Sequence, residues 1–290
     1  MYNCLIFAIL LAMFPAREEN LKTLLCHLMT FSDALPVQFW LIECNTYNQN
    51  LSDGVHHKCF CAPWNCDDSI VLQFYDTPDS SPSIPDDFSL SIRDENDNEI
   101  LNLPFEVQDD GSNYVYNLTV VPSALSPDFC DTRVHFVIIN DTTVTTIAQS
   151  DCLDVQQSHE NTILITYRNH RNIFGLIYSD ISPDVEFNLR VPAIFFHQRF
   201  PKVEETMELS TSLVSLNSTI RRQRLLDVDY VPYYFHEKIQ LIIQHQFVNI
   251  YNRDWVTQEG YELVDGDRRW PVKKAKCFLS EKEFVMRNVL

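Results

Sequence analysis

The chain has 290 residues, 45% hydrophobic and 12% aromatic, enough apolar material for one large or two ordinary packed domains, so disorder is not the default. Its net charge of −18 argues against a surface that grips nucleic acid throughout, because that affinity comes from Lys and Arg neutralising phosphates. Only five glycines occur (Gly54, Gly111, Gly175, Gly260, Gly266), and neither GxGxxG nor GxxxxGK[ST] can be written from them, which excludes the dinucleotide and P-loop fingerprints.

Residues 1–28 differ from the rest of the chain. Leu5 to Phe14 is an apolar run too short to span a bilayer, with no Lys or Arg before it, and cleavage after Ala16 would put Phe14 at the −3 position. A signal peptide and a buried N-terminal helix therefore both fit less well than a third reading, in which Met29 is the start and residues 1–28 are an upstream extension that is not native. No membrane association is expected.

From Leu35 the pattern is β: short runs of β-branched and aromatic residues bounded by Asp, Asn, Ser and Pro. Strands are predicted at Pro36–Cys44, Ser69–Tyr75, Phe88–Arg93, Glu99–Val107, Tyr114–Val121, Arg133–Asn140 and Val144–Gln149, which suits a β-sandwich-like domain over residues 29–151. Asp94, Asn96 and Asn98 mimic the opening of a calcium loop. Glu99, however, stands where that loop needs Gly and Phe105 where it needs Glu, so a hairpin turn is expected.

A smaller α+β domain is predicted over residues 152–290, giving a mainly β chain with one helix. Asn161–Arg168, Ile173–Tyr178 and Val185–Phe196 read as strands, Lys202 to Ser212 as an exposed loop or edge hairpin, and Thr219–Val228 as a strand carrying basic residues. Pro232 opens an amphipathic helix in which Phe235, Ile239, Ile242 and Ile243 recur at helical spacing through Gln246. Phe247–Tyr251, Trp255–Val256, Tyr261–Val264 and Pro271–Leu279 return to strand, so the helix is expected to lie on a sheet. Residues 218–290 hold 12 basic and 10 acidic residues, leaving the first 217 with 10 basic, 30 acidic and a net −20. A near-neutral end on an acidic body is either a solvated surface, the commoner case, or a docking end for a partner or a second copy.

The richest cluster of reactive side chains is His56-His57-Lys58-Cys59-Phe60-Cys61-Ala62-Pro63-Trp64-Asn65-Cys66. Cys59, Cys61 and Cys66 are the candidate metal ligands, yet CxC and Cx4C with no second pair downstream is a poor zinc spacing. A loop with Trp64 plugging a core and the thiols as small apolar fillers is preferred, a disulfide being the alternative. With nine cysteines, an odd number, mostly free thiols in a reducing environment is the simpler expectation. No HExxH, GxSxG or HxE with PCxxC occurs. Asp227 and Asp229 form an acidic pair that neighbouring Arg221, Arg222 and Arg224 explain as ion pairing. Tyr230, Tyr233, Tyr234 and Phe235 could stack a sugar or a base but at a helix start suit core and interface packing better. Asn50, Asn117, Asn140 and Asn217 head N-x-[ST] triplets, which matter only on a eukaryotic secretory route. No catalytic residue and no cofactor are expected.

Arg222-Gln223-Arg224-Leu225-Leu226, Val231-Pro232-Tyr233-Tyr234-Phe235-His236-Glu237-Lys238, Asp265-Gly266-Asp267-Arg268-Arg269-Trp270-Pro271-Val272-Lys273-Lys274-Ala275-Lys276 and Glu283-Phe284-Val285-Met286-Arg287-Asn288 form a distinctive C-terminal pattern. With Phe60-Cys61-Ala62-Pro63-Trp64-Asn65-Cys66-Asp67-Asp68, Ser150-Asp151-Cys152-Leu153-Asp154 and Arg190-Val191-Pro192-Ala193-Ile194-Phe195-Phe196, it resembles virion structural proteins of tailed phages of Bacteroidetes, including the crAss-like group. The resemblance covers about Met29 to Leu290. It implies a neck, ring or tail component that assembles in the host cytoplasm, has copies of itself and other virion proteins as partners, and binds no nucleic acid directly. An acidic body would suit a wall beside the exit route of DNA. The competing expectation is a secreted or surface-displayed β-sandwich binding module, adhesin-like, whose aromatic residues grip a glycan.

Overall fold

The computed structural model describes residues 29–41, 60–76, 87–109, 114–125, 129–178, 185–209, 212–257, 259–264 and 272–289. The fold is mainly β, with 19 strands and two helices among these residues. The apolar run of residues 5–14, His56, His57, Cys59 and Asn50 lie outside them.

The first body is a sandwich. One antiparallel sheet runs β1 (Met29–Phe31), β4 (Ile70–Asp76), β8 (Tyr114–Val120), β7 (Glu106–Asp109). The other centres on β9 (Thr132–Asn140), flanked on one side by β5 (Phe88–Asp94) with β6 (Glu99–Pro104) outside it. On its other side β10 (Thr145–Ser150) and β11 (Cys152–Gln156) lie end to end. β2 (Phe39–Leu41) pairs β10, and β3 (Cys61–Asn65) runs parallel to β11. Phe74 of β4 stacks on Tyr116 of β8 at 4.8 Å and meets Phe88 of the facing sheet edge-on at 5.5 Å. These rings are sealed from water, each worth roughly 1.5–3 kcal/mol by area. The β5–β6 connection is the expected hairpin: Asp94 Oδ1 accepts the N–H groups of Asn96 and Asn98 at 2.8 Å each, and Asp97 adopts φ +66°. One helical turn, α1 (Pro122–Leu125), follows β8.

The second body is a closed barrel. β12 (Thr162–Arg168) pairs β13 (Phe187–Arg199) on one edge and β16 (Phe247–Ile250) on the other; β16 pairs β17 (Arg253–Thr257), which pairs β19 (Val272–Val289). β15 (Ser212–Pro232) closes the ring by pairing both β19 and β13, so six antiparallel strands leave no edge in the ring. A short β18 (Glu262–Val264) lies along β19. The sheet on which the helix was expected to lie is thus closed on itself: residue pattern marks strands, but closure depends on which edges meet. Period-two alternation fills the interior, with Ile163, Ile165 and Tyr167 of β12 facing Val191, Leu189 and Phe187 of β13 in register, all buried.

Helix α2 (Tyr233–Ile242) forms where the sequence places it but is shorter: Pro232 is its extended N-cap and the last residue of β15, not part of its first turn, and it ends at Ile242, short of Gln246. It crosses the end of the barrel from β15 to β16 and is tied there by Thr257 Oγ1 donating to Ile243 O at 2.8 Å. Its other side meets the sandwich. Phe235 packs edge-on against Phe60 at 5.2 Å, and the buried Lys238 ammonium donates to the Leu35 carbonyl.

Ile173–Tyr178 is not a strand. Phe174 and Gly175 adopt φ +54° and +68°, making a tight turn closed by an Ile173–Leu176 bridge. Lys202–Ser212, by contrast, becomes a hairpin. β14 (Lys202–Leu209) continues the line of β13 past Phe200 and Pro201 and pairs β15 from Lys202↔Ile220 to Leu209↔Ser212. The end of β19 pairs the same stretch of β15, from Arg221↔Val285 to Asn217↔Val289. This β14–β15–β19 ribbon leaves the ring as an arm whose eight-residue β14 spans about 26 Å.

Candidate functional site

The cysteines do not behave as the free apolar fillers expected. Cys61 is disulfide-bonded to Cys152, its register partner on β11, and Cys66 to Cys130 just before β9. The partners lie 91 and 64 residues away, so spacing inside the loop carried no sign of them. A disulfide sulfur offers no thiolate to a metal, which removes Cys61 and Cys66 as ligands. Among the described residues no group of three His, Cys, Asp or Glu is placed to hold a metal ion. Trp64 plugs the core as predicted, with no exposed surface. Cys277 is a free, buried thiol whose pKa burial pushes up to about 12, so it is protonated and unreactive at neutral pH.

Asp227 and Asp229 are ion-paired, but with lysines of β19 and not with Arg221, Arg222 and Arg224: Asp229 to Lys274 at 3.0 Å and Asp227 to Lys276 at 3.9 Å. The hydrogen bond from Lys274 holds the Asp229 carboxyl below its ordinary range. Tyr234 meets Trp40 edge-on at 6.3 Å and Phe235 meets Phe60, so half of the aromatic group fastens α2 to the sandwich, leaving Tyr230 and Tyr233 exposed. Asn140 is buried and accepts the Thr143 N–H at 3.0 Å, which is no glycan acceptor geometry. Asn117 accepts from Gln73 at 2.9 Å.

Two histidines pin the closed end of the barrel. His245 Nδ1–H donates to the Leu241 and Ile242 carbonyls at 3.0 Å while Nε2 accepts the Tyr178 hydroxyl at 2.7 Å. His236 Nε2–H donates to Lys273 O at 2.9 Å and Nδ1 accepts the Tyr261 hydroxyl at 2.6 Å. Burial lowers both pKa values, keeping the rings neutral, and the tyrosine hydroxyls are pushed above their ordinary range by the same burial. Each ring has both nitrogens taken up, one by backbone carbonyl oxygen and the other by a tyrosine hydroxyl, and the nearby Cys277 thiol is held protonated by burial, so the arrangement is a structural one.

The most unusual surface lies where the arm leaves the barrel. Arg199 donates to Gln223 at 2.6 Å, pairs with Glu259 and lies 3.4 Å over the Phe278 ring. Arg222 and Arg253 share Glu281 at 2.9 and 2.7 Å, and Arg222 also lies 4.1 Å over Phe284. Arg224 stands 5.8 Å from the rings of Phe195 and Trp255. The Nε atoms of Arg221, Arg222 and Arg224 are shielded from solvent without a hydrogen-bond partner among the described residues. Phe196 and Phe200 are about half exposed, and Phe200 lies 6.0 Å from Phe284. Arg199, Arg221, Arg222, Arg224 and Arg253 thus stand with Glu259, Glu281 and the exposed Glu283, beside the half-exposed rings of Phe196 and Phe200. The basic residues of this strand were visible in sequence. Phe196 and Phe200 were not, because alternating apolar residues on β13 read as core until the strand runs past the barrel rim.

No protein-family model, curated protein or solved structure matches the chain.

Proposed function

We propose that the chain is a structural subunit of a tailed-phage particle, a neck, ring or tail component acting by assembly with copies of itself and with other virion proteins. The observation that carries this reading is the arm. Strand β14 hydrogen-bonds only to β15 among the described strands, and beyond β17 the end of β19 does likewise, so among the described residues the ribbon has two open edges. Such a ribbon is marginal in water and invites strand pairing, which a subunit resolves by burying it against a neighbour. The motifs that resemble virion proteins support the same reading, since Arg222–Leu226 lies at the arm root and Val231–Lys238 opens α2. The role needs no cofactor and no turnover.

The two disulfides favour a second reading, the secreted or surface-displayed binding module. They are compatible with the first as well, because a released particle works in an oxidising medium whatever the compartment of its assembly. Quantitative mass spectrometry of gradient-purified particles separates the two: the subunit reading expects several copies per particle at constant ratio to the capsid protein. Absence from particles, with the chain recovered from the cell surface, would replace it.

A further inference from the structure

We infer that the arm root is a head-to-tail docking surface for a second copy of this chain and receives the acidic β6–β7 edge of that copy's sandwich. This rests on the subunit reading and names the contact. The root carries Arg199, Arg221, Arg222, Arg224 and Arg253 against Glu259, Glu281 and Glu283, with Phe196 and Phe200 half exposed beside them, a net-cationic and aromatic surface on a protein whose net charge is −18. Its complement is on the same molecule. β6 and β7 follow one another along the chain and are the outermost strands of the two sandwich sheets, hydrogen-bonded only to β5 and β8 among the described strands. They carry Glu99, Glu106 and Asp109, with Ile100 and Val107 exposed at 45% and 40%.

Arginine and phenyl groups facing carboxylates, apolar side chains and an open strand edge satisfy charge, area and backbone hydrogen bonding at once. Because the two patches differ, each copy uses its root for one neighbour and its edge for another. Such a contact closes into a ring or runs on as a filament, the geometry a neck or tail needs. Phosphate would suit the same arginines, but the net −20 of the first 217 residues repels a polyanion from the molecule as a whole.

The test uses two variants of the full chain, each changed only at surface positions. The root variant carries Phe196→Ser and Phe200→Ser, both at half-exposed rings; the edge variant carries Glu106→Lys and Val107→Lys. Light scattering after size exclusion gives the mass of each alone and mixed. The parent chain is expected to self-associate and to dissociate when salt is raised to about 0.5 M, a readout that needs no substitution. Each variant alone should self-associate at least ten-fold more weakly. An equimolar mixture should form a one-to-one dimer and stop there, since only one intact root and one intact edge remain. Variants that assemble like the parent, a mixture that stays monomeric, or a parent that is monomeric throughout would overturn the contact, as would a labelled DNA oligonucleotide bound by the parent and lost in the root variant. Copies counted in purified particles decide the subunit reading separately.

Discussion

Arg190 on β13 holds Asp68, just beyond β3, with two hydrogen bonds across the boundary between barrel and sandwich, Nε to Oδ2 at 2.5 Å and Nη2 to Oδ1 at 2.8 Å. Both side chains are nearly sealed from water, at 11% and 7% exposure. Asp68 Oδ2 also accepts the Asn65 N–H at 3.0 Å, and Arg190 Nη1 donates to Thr162 at 3.0 Å, so the pair is held from both bodies. Removing one partner strands the other charge. Asp68→Asn should cost roughly 3–5 kcal/mol in urea unfolding, and Asp68→Leu combined with Arg190→Met should recover most of it. A loss below about 1 kcal/mol for the single change would show that the pair is not sealed.

The disulfides tie distant segments, and cross-links of that span restrict the unfolded chain. Cys130→Ser or Cys152→Ser should each cost about 2–5 kcal/mol. Alkylation without reductant should leave Cys61, Cys66, Cys130 and Cys152 unlabelled, and Cys277 should react only after unfolding, because its buried thiol is protonated. Labelling of those four in native protein would refute the pairing.

The neutral histidines set a pH window. His236 and His245 have folded pKa values below the ordinary 6.5, so below pH 6.5 the unfolded chain takes up protons that the folded chain refuses. Stability from these sites is therefore complete above 6.5 and is lost as pH falls towards the lowered values. The carboxyls held low, at Asp94, Asp97 and Asp229, titrate below 3.8, and Lys238, lowered to about 8 by burial, titrates above the window. Melting temperature should fall between pH 7 and 5.5, and less so in His236→Gln, whose amide can still donate to Lys273 O. A flat profile in the parent would contradict neutral burial.

Much of the fold was legible where side-chain chemistry acts locally. Alternation in Thr162–Arg168, the Asn and Asp turn after Asp94, and Pro232 at the head of a helix with Ile239 and Ile242 on one face all formed as the residues dictate. What failed was long-range. The six-strand closure depends on β15 meeting both β13 and β19, and the cysteine pairs depend on the same kind of distant contact. Ile173–Tyr178 misled because its apolar residues are anchored by tertiary contacts: Leu176 and Tyr178 are buried, while the backbone turns at positive φ. At the arm root the arginines were readable as charge. Their phenyl neighbours were not readable as surface, since exposure depends on where the barrel ends.

Amide hydrogen exchange on the arm tests the account most directly. Backbone N–H groups of residues 202–209, 212–220 and 282–289 should exchange fast in the isolated chain at low concentration, since the ribbon has open edges among the described residues, and should become protected when the chain is in its assembly. Equal exchange in both states, with the arm as slow alone as the barrel strand β12, would contradict the claim that this protein works by burying its arm against a neighbour.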